Sequence, residues 1–363
     1  MEKQHQIFFD FLRFCIGSES EFPSSLKEAD WKELYAIAQK QTLVGILFDG
    51  IQRLPSSFSD VGISRELLLQ WMAQCKMLEK ANVRLNDAAI LVSEWFRKKG
   101  FRTCILKGQG NALMYPNPYS RTPGDIDIWV EGGDKRVISF VRSISPHEKA
   151  CYHHIEFPSY KGVEVEVHYR PSFLLCFWHN RRLQKYYERV KEEQFSHRMM
   201  LGEQGEVEIP TAEFNLIFQL THIYAHLMNE GIGLRQLVDY YYVLISDDLL
   251  LIRDRVQKEL KELGLWKFAG GIMYIMQEVF GMPASRLIVP PNEKYGKFVL
   301  NEVLEAGNFG RHDARNRFGR SQLGHNLQRV YRDIRLVRYF PAEALCEPLF
   351  RIWHFFWRKK NKK

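Results

Sequence analysis

The sequence has no uninterrupted apolar run of about 18 residues, so no transmembrane segment is expected in it. Its six cysteines, at 15, 75, 104, 151, 176 and 346, form no C-x-x-C pair and no metal-ligand spacing. Several lie in apolar runs and read as reduced core residues of a cytoplasmic protein. Near the start, Asp10 and Arg13 interrupt Phe8, Phe9, Phe11 and Phe14, and no small-residue cleavage site follows, so no signal peptide is read there. Internal repeats and low-complexity tracts are also missing. With 45% apolar and 26% charged residues the composition is not that of a disordered chain. What remains is a globular protein, 363 residues long, with room for two to three domains or one core with helical extensions.

An excess of charge of one sign is missing until late in the chain. From Arg311 to Lys363 there are 14 Lys or Arg against four acids, a balance of +10, so the net +8 leaves −2 for the preceding 310 residues. Such a segment suits an anionic partner, nucleic acid or membrane surface, but an ordinary solvated basic face is the reading preferred to either one.

The most informative stretch runs from Arg102 to Val130. Cys104-Ile105-Leu106 reads as a short buried strand ending at a glycine turn. Gly108 to Tyr115 reads as a short helix, stopped by Pro116-Asn117-Pro118. A second strand follows from Asp125 to Val130. Alternation puts Asp125 and Asp127 on one face, about 6–7 Å apart along the backbone. Ile126 and Ile128 point the other way. Two carboxylates that close repel unless a cation sits between them, which suits hard oxygen ligands for Mg²⁺. Asp-x-Asp alone describes an exposed edge strand equally well. The glycine turn adds free backbone N–H groups suited to phosphate. It is not a Rossmann fingerprint, because the third glycine is missing. Nor is it a P-loop, because Lys107 precedes the glycines.

Residues 163–170 alternate throughout, with Val163, Val165 and Val167 on one side and Glu164, Glu166 and His168 on the other. His168 reads as an orienting hydrogen-bonder for Glu166 rather than a metal ligand. His222 and His226, four apart on a later helix, lack the glutamate of the zinc-protease motif. His226 and Arg235 are placed on the cleft wall opposite the acids, and Arg235 and Asp239, also four apart, are spaced to pair.

With these pieces in place, the chain resembles the nucleotidyltransferase superfamily that shares its fold with DNA polymerase beta. Within it, the chain is most similar to a bacterial group of uncharacterised nucleotidyltransferases. The matching residues are Leu106-Lys107-Gly108, Tyr115, Arg121, Asp125-Ile126-Asp127, Glu166-Val167-His168-Tyr169, Gly231-Ile232-Gly233-Leu234-Arg235 and Asp239. The resemblance implies two Mg²⁺ ions on Asp125 and Asp127, with Glu166 as third carboxylate, and NTP phosphates on the turn at Gly108. Lys107, Gln109, Arg121 and Arg235 complete the expected nucleotide-binding set. Where the superfamily has Ser or Gly after the turn glycine this chain has Gln109, and the third acid is Glu instead of Asp.

The flanks read as helical: Gln6 to Cys15, Asp30 to Ile51 with a break near Gln41, Ser64 to Lys99, residues 136 to 146, Arg181 to Gln194, and everything from Thr211 on. Tyr152 to Ser159 and Val163 to Arg170 read as a hairpin around Lys161-Gly162, and 195 to 205 as a polar loop. Leu349 to Lys363 reads as a docked C-terminal helix with a solvated basic end. The expected architecture is α+β: a small mixed sheet at 101–205 between a helical region at 1–100 and a helical region with basic tail at 206–363. The expected function is Mg²⁺-dependent transfer of a nucleoside monophosphate from an NTP to a hydroxyl. The acceptor is taken as a small molecule or protein in preference to RNA, since no RNA-binding motif accompanies the charge. Glu166 would also help deprotonate that acceptor. A nucleotide-binding protein without catalysis, and a helical interaction module working through its basic C-terminus, are the alternatives.

Overall fold

The computed structural model describes residues 3–54, 62–203, 205–246, 249–307, 315 and 322–361, with the side chains of 322, 323, 325 and 326 left out. The chain opens with α1 (Lys3–Ile16), α2 (Trp31–Lys40) and α3 (Val44–Gln52). The break near Gln41 is real: Thr42 takes a positive φ of 55°, which ends one helix and redirects the next. Gln41 itself is buried and ties the break to two distant elements, donating to the Val303 carbonyl and accepting from the Leu234 amide. The long α4 (Arg65–Lys98) starts as its sequence suggests, with the Ser64 side chain accepting from the Leu67 amide.

The sheet follows. β1 (Thr103–Ile105) leads through α5 (Gln109–Ala112) to β2 (Ile126–Val130), then α6 (Gly133–Ile144), β3 (His154–Tyr160) and β4 (Val163–His168). The strand order is β1-β2-β4-β3, with β2 and β4 parallel and both edge pairings antiparallel. The hairpin joining β3 to β4 turns at Lys161 and Gly162, both at positive φ, as a two-residue primed turn demands. The helix expected over Gly108–Tyr115 is only four residues long, and Asp125 lies just ahead of its strand.

Side-chain alternation decides what the sheet carries. Ile126, Ile128, Val130, Val165 and Val167 enter a core with Leu85, Ala89, Val92 and Phe96 of α4 and with Val137 and Val141 of α6. The opposite face carries Asp127 and Trp129 towards the larger helical core. Beyond α7 (Phe177–Gln194), the expected polar loop holds a small hairpin, β5 (Arg198–Leu201) with β6 (Gly205–Glu208). Its four-residue strands, with Met199 and Met200 exposed, carry too little apolar periodicity to be read. Its own Glu208, a buried carboxylate at the end of β6, accepts from Arg198 within the hairpin and from Arg97 of α4, which ties the hairpin to that helix.

The rest is helical: α8 (Ala212–Asn229), α9 (Leu234–Leu244), α10 (Leu249–Glu262), α11 (Trp266–Glu278), α12 (Glu293–Ala306), α13 (Gln322–Leu336) and α14 (Pro341–Lys360). Thr211 caps α8 by accepting from the Phe214 amide, as its sequence predicts. All eleven residues of α9 are buried, so it runs through the core instead of along a surface. The Arg-rich stretch around 311–320 lies outside the described residues apart from Arg315. Arg315 and Arg335 both pair with Glu302, and Arg351 pairs with Glu347, so part of the late positive charge is matched internally. No helix among the described residues is long and apolar enough to cross a membrane.

Candidate functional site

Because β2 and β4 run parallel in register, Asp127 stands directly beside Glu166. Asp125 joins them from the residue before β2, and one carboxylate oxygen from each of the three lies within 4.8 Å of the others. Asp127 is 1% exposed, and its Oδ2 is buried with no hydrogen-bond partner among the described residues. An orphaned buried carboxylate oxygen is costly unless a cation completes it. Three hard oxygen donors around it fit a divalent ion such as Mg²⁺.

The repulsion expected between these acids is already relieved by the protein. Lys107 Nζ sits 3.0 Å from Asp127 Oδ1, and His168 Nε2 sits 2.9 Å from the same oxygen and 3.4 Å from Glu166 Oε2. Burial alone would lower the Lys107 ammonium, but Asp127, Asp125 and Glu166 outweigh it and hold it above the usual lysine range. Burial would likewise raise both acids. Lys107 and His168 hold Asp127 below the carboxylate range, and His168 and His154 hold Glu166 down to about 2. Against its own burial, His168 is lifted to about 9 by hydrogen bonds to Asp127 and Glu166. His168 thus hydrogen-bonds both acids, where the sequence paired it with Glu166 alone.

These shifts set a pH window for the metal-free protein. The folded value of His168, about 9, lies above its ordinary 6.5, so its contribution is complete below about 6.5 and lost as pH rises through about 9. The folded value of Glu166, about 2, lies below its ordinary 4.5, so its contribution is complete above 4.5 and lost towards 2. Thermal unfolding in chelator is expected to weaken on the alkaline side, and His168→Gln to remove that alkaline loss. An unchanged alkaline profile in the variant would show that the ion pairs do not form.

The expected nucleotide-binding set divides. Lys107, Gly108, Arg121, Asp125, Asp127 and Arg235 line one narrow cleft together with Gln219, His222 and Gln236. Gln109 does not: its side chain turns into α4, where Nε2 donates to Asn86 Oδ1. Arg121 is in the cleft wall but already committed. Its Nε and Nη2 each lie 2.8 Å from the two oxygens of Asp239, and Tyr115 Oη donates to Asp239 at 2.6 Å. The pair expected between Arg235 and Asp239 is thus replaced by a buried fork between Arg121 and Asp239. Arg121 thereby anchors the turn after α5 to α9, with its fork committed to Asp239. Arg235 Nη1 donates to the Thr122 carbonyl, while its buried Nε has no partner among the described residues. Burial depresses its guanidinium to about 10, with the charge of Arg121 acting in the same direction.

Gly108 sits at φ 61°, ψ −107°, a conformation that glycine alone adopts readily. An added Cβ would meet nothing closer than the Asp125 carbonyl at 3.5 Å, so backbone conformation, not crowding by the protein, demands the glycine.

A second, larger cavity of about 520 Å³ opens on the other side of the acids. Asp125, Glu166, His168, His222 and His226 line it, with His153 and His154 at one wall and Phe350, Arg351 and His354 of α14 at another. His226 thus borders this cavity, and His222 is the histidine shared by both spaces, its Nε2 3.4 Å from Lys107 Nζ. The sequence singled out neither cavity nor the role of α14 in closing one. Glu343, Ala344, Glu347 and Phe350 are buried at helical spacing on α14, but that spacing does not show what the face covers. The C-terminal helix is docked as expected: Phe350 is buried and stacks on Phe173 at 5.1 Å.

A family model described as an uncharacterised nucleotidyltransferase matches residues 27–281. The crystal structure of an antigenic nucleotidyltransferase-like protein from Paracoccidioides brasiliensis is similar over 50% of this chain and 90% of that one, at 14% identity and a TM-score of 0.28. A likeness that shallow carries no argument. No curated protein matches the sequence.

Proposed function

The chain belongs to the family of uncharacterised nucleotidyltransferases, and from that premise we propose that it transfers a nucleoside monophosphate from an NTP to a hydroxyl of a small acceptor. The observation that carries this reading is the convergence of Asp125, Asp127 and Glu166 within 4.8 Å around an unpartnered buried oxygen. Those three residues would hold Mg²⁺, which supplies charge neutralisation at the phosphates. The chain's own cations act beside it. Lys107 brings a charged ammonium to the acids, and Arg235 brings a buried guanidinium with an unpaired Nε to the same cleft. A desolvated, incompletely matched positive charge favours an anion, and phosphate is the anion that these groups and the Gly108 turn suit.

The 520 Å³ cavity is the natural place for the acceptor, because Asp125 and Glu166 border it. Its size suits a small molecule and not a folded RNA. Glu166, held at about 2, is a weak base and is suited to holding a cation. The role in deprotonating the acceptor expected of it is therefore not part of this proposal. Since Phe350, Arg351 and His354 wall the cavity, truncation after Pro348 would open it and weaken acceptor binding.

The test is a screen of the four NTPs for binding with Mg²⁺ or Mn²⁺, followed by a pyrophosphate assay with candidate hydroxyl acceptors. Metal-dependent NTP binding with pyrophosphate release is expected. Absence of binding under all four nucleotides would overturn the proposal, and binding without release would favour the non-catalytic alternative.

The turn offers a separate check. Gly108→Ala forces an L-residue into a glycine conformation, at about 1–3 kcal/mol, and is expected to weaken NTP binding as the turn relaxes. Gly110, with an ordinary φ, packs tightly on Ile209, where a Cβ would lie 3.3 Å from Cγ2. Gly110→Ala is therefore expected to lower stability slightly and leave NTP affinity alone. Equal effects of the two on calorimetric NTP affinity would count against phosphate at this turn.

A further inference from the structure

The cavity wall carries a donor set of a different kind from the acids. Cys151 Sγ lies 3.5 Å from one ring nitrogen of His153, Nδ1, and His154 Nδ1 lies 3.1 Å from the other, Nε2, only one of which can meet a given ion. One donor atom from each of the three residues falls within 4.8 Å of the others. Donors held tetrahedrally at about 2.0–2.3 Å from an ion lie about 3.3–3.6 Å apart, so this is a loose face of such a site. We propose that Cys151, His153 and His154 form a second metal site, for a borderline-soft divalent ion of the zinc class, distinct from the carboxylate site.

The chemistry separates the two. Thiolate and imidazole select zinc-like ions, whereas three carboxylates select Mg²⁺. The segment is also built to hold its shape. The Cys151 amide donates to the His154 carbonyl at 2.9 Å, and the Tyr169 and Arg170 amides both donate to the His153 carbonyl. Arg170 Nη1 donates to the Tyr152 carbonyl at 2.7 Å, and Tyr169 Oη donates to the Cys151 carbonyl. The Cys-x-His-His run is thereby pinned by the end of β4 while its side chains face the cavity. That leaves an entry path and an open fourth position for water. Glu166 Oε2 lies 3.2 Å from that same His154 Nδ1, so this nitrogen must exchange the acid for the ion, or the ring must turn, when the ion binds. Binding converts the Cys151 thiol to a metal-bound thiolate and releases its proton to solvent.

The test is a titration of the full-length protein, stripped by chelator, with Co²⁺ as a spectroscopic substitute. It needs no nucleotide and no activity. One equivalent is expected to give a sulfur-to-cobalt charge-transfer band in the near ultraviolet and the intense visible bands of a four-coordinate ion, while any Co²⁺ taken up by the carboxylates adds no sulfur band. Cys151→Ser should abolish the charge-transfer band, and His153→Gln should weaken binding roughly a hundred-fold, at the top of the 10–100-fold that even the outer partners of ligands carry. Asp127→Asn should keep the band. So should Cys176→Ser, which removes the other cysteine grouped with a histidine and an acid, His179 and Glu343. Wild-type protein without a sulfur band, a band that survives Cys151→Ser, or one lost in Cys176→Ser, would each overturn the proposal.

Discussion

Asp127→Asn is expected to lower nucleotide transfer at least about a thousand-fold, equivalent to about 4 kcal/mol of transition-state stabilisation. Asp127 is the central acid of the cluster, fixed by β2 beside Glu166 and buried with one oxygen unpartnered. An amide in its place keeps the shape and removes the charge that a divalent ion requires. The fold will also register the change. Read from the sequence alone, the substitution should relieve repulsion between neighbouring carboxylates and be neutral or slightly stabilising without metal. In the structure the carboxylate is already matched by Lys107 and His168. Its loss leaves those groups short of a partner, and about 1.5–3 kcal/mol of stability should go with it. Pyrophosphate release at saturating NTP, beside urea unfolding in chelator, measures both. Wild-type transfer in the Asp125→Asn, Asp127→Asn double variant would show that the chemistry lies elsewhere.

Asp239→Ala is expected to cost about 3–5 kcal/mol of folding stability, the usual loss when one partner of a buried ion pair is removed. The Arg121 and Asp239 side chains are 4% and 7% exposed, joined through both carboxylate oxygens, and Tyr115 donates to the same acid. Without Asp239 a charged guanidinium stays buried between the loop and α9, and Arg235 beside it adds a second positive charge. Nearby backbone contacts pin the same loop: Asn82 Nδ2 donates to the Arg121 carbonyl at 2.9 Å. Denaturant unfolding of Asp239→Ala, Arg121→Met and the double variant gives the coupling. The double variant should recover much of the loss, since no buried charge remains unpaired. A loss in Asp239→Ala below about 1 kcal/mol would mean the pair is no anchor.

The elements around the site were legible wherever a local pattern makes them. Alternation over Asp125 to Val130 and over 163–170 revealed two strands, formed as Ile126–Val130 and Val163–His168, and which faces carry acids, because side chains on a strand must alternate. Ser64 and Thr211 marked helix starts, because an exposed first turn needs a nearby acceptor. The β5–β6 hairpin escaped, since its order comes from Glu208 reaching Arg97, more than a hundred residues away.

Charge partners lay beyond any such pattern. Helical spacing offered Arg235 to Asp239, but the acid went to Arg121, 118 residues earlier, whose fork meets both of its oxygens. Cys151, His153 and His154 showed no metal spacing by cysteine arithmetic, and were drawn into one cluster by backbone bonds to the end of β4. Periodicity and capping act over a few residues and so were written in the sequence itself. Which buried donor meets which acceptor depends on the faces that packing brings together and on the water it removes, and that was settled only when the chain closed on itself.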